Sequence, residues 1–105
     1  MTRDAALIAR LADLAARGET VSYGALARDL AIPGPGSIAR LTMALETLME
    51  ADAAAGRPLR AVLCEARLSG GMPAEGFFAK AEALGFDVAN RAGFVAATRA
   101  ALFKR

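Results

Sequence analysis

The sequence has no histidine and only one cysteine, Cys64. Histidine is the commonest metal ligand and the usual general base at neutral pH, so its absence argues against a zinc site and against histidine-dependent catalysis. A single cysteine cannot form a disulfide bond within the chain. We therefore expect a protein that is not an enzyme and that needs neither a metal ion nor a cofactor.

The chain also lacks any apolar run of the ~18 residues that a membrane-spanning helix requires. Its first ten residues show no signal-peptide pattern. These two absences predict a cytoplasmic protein that makes no contact with a membrane. The length of 105 residues fits one domain, 1–105, and leaves no room for two.

Charge is nearly balanced, because 13 basic residues stand against 11 acidic ones and the net charge is +2. Most of the basic residues are arginine, the side chain that binds phosphate and anchors interfaces. The net charge by itself does not choose between a nucleic acid and a protein as the partner.

Alanine is the most frequent residue, at 27 of 105 positions, and it favours helix. Apolar residues recur at the spacing of one helical face between breaks at glycine and proline. This pattern predicts five helices, over 4–17, 22–30, 37–55, 77–84 and 87–104. Ser22 and Ser37 are the expected caps of the second and third helices. The inner side of the third helix is predicted to carry Ile38, Leu41, Leu45, Leu48, Met49 and Asp52.

One strand is predicted, over 59–67, where Val62, Leu63 and Cys64 form an apolar run. Its partner must be short, and 20–21 and 76–78 are the candidates. Residues 68–73, rich in glycine, predict a flexible turn of the kind that forms a wing tip. These elements predict a mainly α fold with a small β wing: a winged helix-turn-helix with extra C-terminal helices.

Residues 20–27, Thr-Val-Ser-Tyr-Gly-Ala-Leu-Ala, resemble the segment that opens the DNA-binding half of the alkylguanine-DNA alkyltransferases and the alkyltransferase-like proteins. Residues 33–40, which run from Pro-Gly to Ser-Ile-Ala-Arg, resemble the turn and the arginine-bearing recognition helix of that family. There the matching tyrosine and arginine assist nucleotide flipping, so the resemblance implies that role for Tyr23 and Arg40.

The reactive motif of that family, Pro-Cys-His-Arg, has no counterpart here, since Cys64 lies between Leu63 and Glu65. An alkyl-accepting cysteine needs a base-assisted thiolate, which a neighbouring glutamate disfavours. We therefore expect Cys64 to be a small apolar residue of the core.

A second resemblance covers 56–63, Gly-Arg-Pro-Leu-Arg-Ala-Val-Leu, and 71–78, Gly-Met-Pro-Ala-Glu-Gly-Phe-Phe. With the Tyr23-Gly24 opening, these runs resemble a group of small, uncharacterised bacterial and phage winged-helix proteins. The resemblance implies a winged-helix fold and brings no catalytic activity with it. Phe77 and Phe78 are expected to pin the bend after the wing to the core.

The first functional hypothesis is a non-enzymatic protein that binds duplex DNA. In a winged helix the third helix lies in the major groove, and the wing contacts the backbone. Three acids of that helix, Glu46, Glu50 and Asp52, oppose the hypothesis because they would meet phosphates. The residues expected to contact DNA are Tyr23, Ser37, Arg40, Thr47, Arg57, Arg60 and Arg67.

The second hypothesis is a protein-interaction module. Met43, Ala44, Thr47 and Ala51 form a flat, weakly polar row on the predicted outer face of the third helix, which suits packing against another helix. The partner is then a second copy in a homodimer, or a host protein bound by a phage or mobile-element inhibitor of the anti-CRISPR kind.

A third hypothesis is a damage-recognising, alkyltransferase-like protein without transfer chemistry. It requires a pocket beside Cys64 that takes a flipped base.

Overall fold

A computed structural model describes residues 3–104, which form five helices and one pair of short strands. The helices are α1 (Arg3–Arg17), α2 (Tyr23–Asp29), α3 (Ser37–Ala55), α4 (Glu75–Ala83) and α5 (Arg91–Phe103). The strands are β1 (Val21–Ser22) and β2 (Cys64–Glu65), and a 3-10 turn, Arg60–Leu63, leads into β2. Met1, Thr2 and Arg105, which the predicted domain includes, lie outside the described residues.

The mainly helical prediction is confirmed, as is the presence of extra C-terminal helices, here α4 and α5. The short α2, the turn 30–36 and the long α3 have the predicted order of a short helix, a turn and a longer helix. No helix within residues 3–104 combines the length and the apolar character needed to cross a bilayer.

Ser22 caps α2 as predicted, because its side-chain oxygen accepts a hydrogen bond from the backbone N–H of Ala25 at 3.1 Å. The predicted cap of α3 is wrong by one residue. Gly36 precedes the helix in the left-handed conformation, with φ +84°, and Ser37 is the first helical residue. Glycine adopts this conformation without strain, so it takes up the sharp turn and leaves Ser37 inside the helix.

The core is built around the 3-10 turn, which contacts α1, α3 and α5. Residues 61–63 of this turn are all buried. α1 contributes its leucines Leu7, Leu11 and Leu14, and α4 contributes Phe77 and Phe78, whose rings meet edge to face at 5.3 Å. Burial of each such side chain contributes about 1.5–3 kcal/mol. The expected role of the two phenylalanines in packing is therefore confirmed.

The inner face of α3 is predicted correctly except at its start. The leucines of that face, Met49 and Asp52 are buried, but Ile38 is 45 % exposed. Ile38 lies in the first turn of α3 and faces a surface groove instead of the core. The helix therefore presents an apolar side chain to solvent at its N-terminal end.

The predicted strand over 59–67 is correct only at Cys64 and Glu65. Residues 61–63 form the 3-10 turn because all three are buried among helices, whereas a strand at a surface alternates. Of the two candidate partners, 20–21 contains the paired residue Val21, and 76–78 lies within α4.

The two strands pair in parallel, with Val21 opposite Cys64 and Ser22 opposite Glu65. A wing is an antiparallel hairpin, so this pairing does not confirm the winged-helix form of the prediction. The segment in the position of the wing is the loop 66–73, which is closed by a hydrogen bond from the Ala66 N–H to the Met72 carbonyl at 2.8 Å.

Asp52 is the one charged side chain that is fully buried among the described residues. One of its oxygens, Oδ2, accepts the backbone N–H of Arg60 at 3.0 Å. The other, Oδ1, accepts from Nη2 of Arg60 at 2.7 Å and from Nε of Arg57 at 3.1 Å. The carboxylate thus joins the C-terminal end of α3 to the start of the 3-10 turn.

We predict that Arg60→Ala lowers the free energy of unfolding by about 3 kcal/mol, because it leaves a buried carboxylate without its main cation. Arg57→Ala is the matched control, since Arg57 contacts the same carboxylate but its side chain is 52 % exposed. Its removal costs under about 1 kcal/mol. Urea unfolding followed by circular dichroism measures both, and equal losses would contradict the assignment.

Candidate nucleic-acid interface

A groove of about 600 Å³ opens between α2, the start of α3 and the chain that follows β2. Tyr23 and Arg28 of α2 line one side, and Ile38 of α3 lines another. Glu65 and Arg67 complete the boundary from the β2 side. We call this surface the basic groove, because exposed arginines stand at its edge.

Arg28, Arg40 and Arg67 are the exposed arginines that form no ion pair within residues 3–104. The guanidinium of Arg28 folds over α2, where its Nη1 lies 3.8 Å from the point that a side chain on Gly24 would occupy. Arg28 is not among the residues predicted from sequence to bind DNA. The sequence does not mark it as a cationic site, because the acidic residue Asp29 follows it directly.

Arg40 lies in the first turn of α3, next to the turn 30–36 that precedes the helix. Its Nη1 donates to the carbonyls of Pro33 at 2.6 Å and of Pro35 at 3.1 Å, so the side chain also holds the turn. The other two nitrogens, Nε and Nη2, donate to neither carbonyl and lie on an exposed side chain, where they can reach a ligand. Arg40 therefore has two roles open to it, one in the fold and one toward a ligand.

The surface around this turn is locally positive. Asp29 is the only acid between residues 22 and 44, and its carboxylate is paired with Nε of Arg10 at 3.2 Å. Glu65 is the acidic side chain of the groove, and it accepts a hydrogen bond from the hydroxyl of Thr20. The carboxylate of Glu65, which lines the groove together with Arg28 and Arg67, is thus already hydrogen-bonded within the protein.

Tyr23, predicted to contact DNA, is half-buried in the groove wall. Its hydroxyl oxygen accepts the backbone N–H of Ala74 at 3.0 Å, and burial raises the pKa of the phenol. This hydrogen bond ties α2 to the chain just before α4. Tyr23 therefore shapes the groove through the fold, with part of its ring surface left toward the cavity.

Arg99 lies behind β2 and is not predicted from sequence as part of any site. Its Nε donates to the carbonyl of Val62 at 2.9 Å, and its Nη2 is buried without a hydrogen-bond partner among the described residues. Burial lowers the pKa of this guanidinium, while the charge of Glu65 opposes the shift. Arg99 offsets the negative charge of Glu65 from the protein side.

Arg57 and Arg60, predicted to contact DNA from the strand, are placed at Asp52 instead. Asp52 lies roughly 20 Å along α3 from Ser37, at about 1.5 Å per residue. Ser37 and Arg40 are therefore at one end of the helix, and the Asp52 pairs are at the other. The predicted DNA-binding residues do not form one continuous surface.

The acidic side chains of α3 would repel DNA phosphates less than their number predicts. Asp52 is buried and fully paired, as its position on the inner face indicates. Glu50 is paired with Nζ of Lys80 at 2.5 Å, and Glu46 is half-buried. The prediction that Asp52 would meet DNA phosphates is wrong, because its side chain has no contact with solvent.

A second groove, of about 200 Å³, lies between α1 and α3. Of the residues predicted to bind a partner, Ala44, Thr47 and Ala51 line this α1–α3 groove together with Ile8. Met43, which is 71 % exposed, lies outside it. Ala44 is half-buried against the core, so its predicted place on the outer face of α3 is wrong.

Thr47, predicted for both DNA and partner contact, lies in the middle of α3. Its hydroxyl donates to the Met43 carbonyl at 3.1 Å, one helical turn earlier. The side chain is exposed and lines the α1–α3 groove. The structure thus groups Thr47 with Ala44 and Ala51, which are also predicted to bind a partner, and separates it from the basic groove.

Cys64 is buried in β2, as predicted, and burial raises the pKa of its thiol to about 12. A thiol in this state is not a nucleophile at neutral pH. The structure therefore supports the expectation that Cys64 is a core residue and not an alkyl acceptor.

We predict that Cys64 in the native protein resists a thiol reagent such as DTNB at pH 8. Its thiolate fraction there is roughly a thousandfold below that of an unperturbed thiol, and burial adds a steric barrier. Labelling in urea at the same pH is the control, and it should proceed at the rate of a free cysteine. Rapid labelling without denaturant would contradict the buried state.

The chain matches no protein-family model, no curated protein and no solved structure. Both resemblances of the sequence therefore remain predictions.

Proposed function

We propose that this chain is a non-enzymatic protein that binds duplex DNA through the basic groove. The observation that carries the proposal is the position of Arg28, Arg40 and Arg67. They are exposed and have no carboxylate partner within residues 3–104. Arg28 and Arg67 line the basic groove, and Arg40 lies in the first turn of α3, two residues after Ile38, which also lines it. An arginine without a carboxylate partner keeps its charge available for a phosphate.

We propose that the first turn of α3 contacts the DNA and that the rest of the helix contributes less. Arg40 and Ser37 stand at the N-terminal end of the helix, where Ile38 lines the basic groove together with Arg28 and Arg67. Further along, Glu46 and the Glu50–Lys80 pair bring negative or neutral surface. In this arrangement the loop 66–73 takes the place that a wing has in a winged helix, and it contacts the backbone next to α3.

Three phosphate contacts give a specific expectation for the salt dependence. Each contact contributes about −0.9 to the slope of log K against log salt, so the slope should be about −2.7. Affinity should therefore fall roughly 40-fold between about 50 and about 200 mM salt. Fluorescence anisotropy with a labelled duplex measures this directly.

We predict that Arg28→Gln and Arg67→Gln each weaken binding several-fold and reduce the salt slope by about 1. Arg17→Gln is the matched control, since Arg17 is exposed but is paired with Asp13 on α1, outside the basic groove. It removes the same charge and should leave the slope unchanged. Equal weakening by all three variants would show that only the net charge matters, and flat isotherms at low salt would refute DNA binding.

The α1–α3 groove supports a second candidate function, the interaction with a protein. Its wall is largely apolar, with Ile8 40 % exposed and with small side chains, Ala44 and Ala51, that admit a close approach. We propose a second copy of this chain as the partner, since the groove then buries the same apolar surface on both copies.

We predict that Ala51→Arg shifts the protein toward the monomer in sedimentation at high micromolar concentration, because a charge in the groove has to be desolvated on association. Ala54→Arg adds the same charge to an exposed position of α3 outside the groove, and it should leave association unchanged. A wild-type protein that is monomeric throughout this range would rule out the homodimer.

A further inference from the structure

Leu68 is the most exposed of the large apolar side chains in the described part of the chain, at 96 %. It lies at the tip of the loop 66–73, directly after Arg67. A leucine in this position contributes almost nothing to the core, because nearly all of its surface remains in water.

The backbone at Leu68 also works against leucine. Its φ is +57°, in the left-handed region that glycine adopts freely and that leucine rarely does. Gly70 and Gly71 in the same loop have positive φ as well, and there the residue type fits the conformation. The fold would thus be served better by glycine at position 68, and the leucine side chain has no structural use that offsets its strain.

The loop that carries Leu68 is held in one shape. The Ala66 N–H donates to the Met72 carbonyl at 2.8 Å, and the Ser69 hydroxyl lies 2.6 Å from the Ala66 carbonyl and 2.7 Å from that of Met72. Pro73 is buried, and Met72 packs against the core. Leu68 is therefore displayed by a rigid base, so little conformational entropy is lost when it enters a ligand.

The surroundings of Leu68 indicate the ligand. Arg67 precedes it and lines the basic groove together with Arg28, so a single apolar tip adjoins a surface with two arginines that form no ion pair within residues 3–104. One leucine offers too little apolar area to hold a protein partner by itself. Proteins that bend DNA use this combination: an apolar side chain enters a base step, and neighbouring basic groups hold the phosphates on either side.

We propose that Leu68 wedges between adjacent base pairs from the minor groove and bends the duplex, while Arg67 and Arg28 hold the flanking phosphates. This inference rests on the proposed DNA binding and adds to it a deformation of the ligand. Pyrimidine–purine steps unstack most easily, so binding should favour duplexes that carry such a step at the contact.

The test uses a short duplex with a donor and an acceptor dye at its ends and 2-aminopurine at a central TA step. The wild-type protein should raise energy transfer between the ends, as expected for a bend of roughly 20–90°, and should raise the 2-aminopurine fluorescence as the step unstacks. Leu68→Ser should still bind the duplex but should lose both signals. Leu68→Met, which keeps an apolar tip, should retain them.

Met43→Ser is the matched control, since Met43 is also a largely exposed apolar side chain but lies on α3 outside both grooves. It should bend DNA as the wild type does. The thermal melting of Leu68→Ser should be unchanged or improved, which separates loss of bending from loss of the fold.

The outcomes distinguish this inference from the function on which it rests. Binding without bending by the wild type, or bending by Leu68→Ser equal to that of the wild type, overturns the wedge and leaves DNA binding in place. Failure of the wild type to bind any duplex at low salt overturns both. Loss of self-association in Leu68→Ser, with its DNA complex unchanged, would assign the leucine to a protein interface and would also overturn the wedge.

Discussion

The buried carboxylate of Asp52 is the contact on which the rest of the structure depends. It accepts hydrogen bonds from the backbone N–H and the guanidinium of Arg60, and so it fixes the start of the 3-10 turn, which follows α3 after residues 56–59. That turn leads directly into β2, which places Cys64 beside Val21. The chain after β2 then forms one side of the basic groove. A carboxylate without solvent is tolerated only when it is fully paired, so the sequence must commit arginines to it.

The ion pairs within the protein determine which arginines remain available to bind a ligand. Arg57 and Arg60 neutralise Asp52, Arg10 joins Asp13 and Asp29, and Arg91 binds Glu75. Internal pairing thus removes most of the cationic charge that an arginine-rich composition suggests. Arg28, Arg40 and Arg67 are the exposed arginines left without an ion pair in the described part of the chain, and two of them, Arg28 and Arg67, line one groove. A nearly neutral chain can therefore present a positive site, because the charges are unevenly paired.

The sequence predicts the helices well because their signal is local. The apolar spacing of α1 and α3, and the cap at Ser22, depend on residues within a turn or two of each other. The segment 59–67 looks like a strand because its apolar run is compatible with either structure, and only its contacts with α1, α3 and α5 select the 3-10 turn. The groove is predicted only in part for the same reason. Tyr23 and Arg67 are among the residues predicted from sequence, whereas Arg28 can be recognised only when the structure shows that Asp29, the acid next to it, is paired with Arg10.

The proposed DNA contact and the proposed contact with a second copy need not compete in this molecule, because the two grooves share no lining residue. The basic groove uses the N-terminal end of α3, and the α1–α3 groove uses its middle. A pair of copies joined through the α1–α3 groove would leave both basic grooves exposed on one particle. Two linked sites raise the effective concentration at the second contact, so a pair of copies would bind a duplex more tightly than one copy does. The modest charge of a single chain is then consistent with nucleic-acid binding by an assembly, in which the distance between grooves sets the spacing of the sites that are recognised.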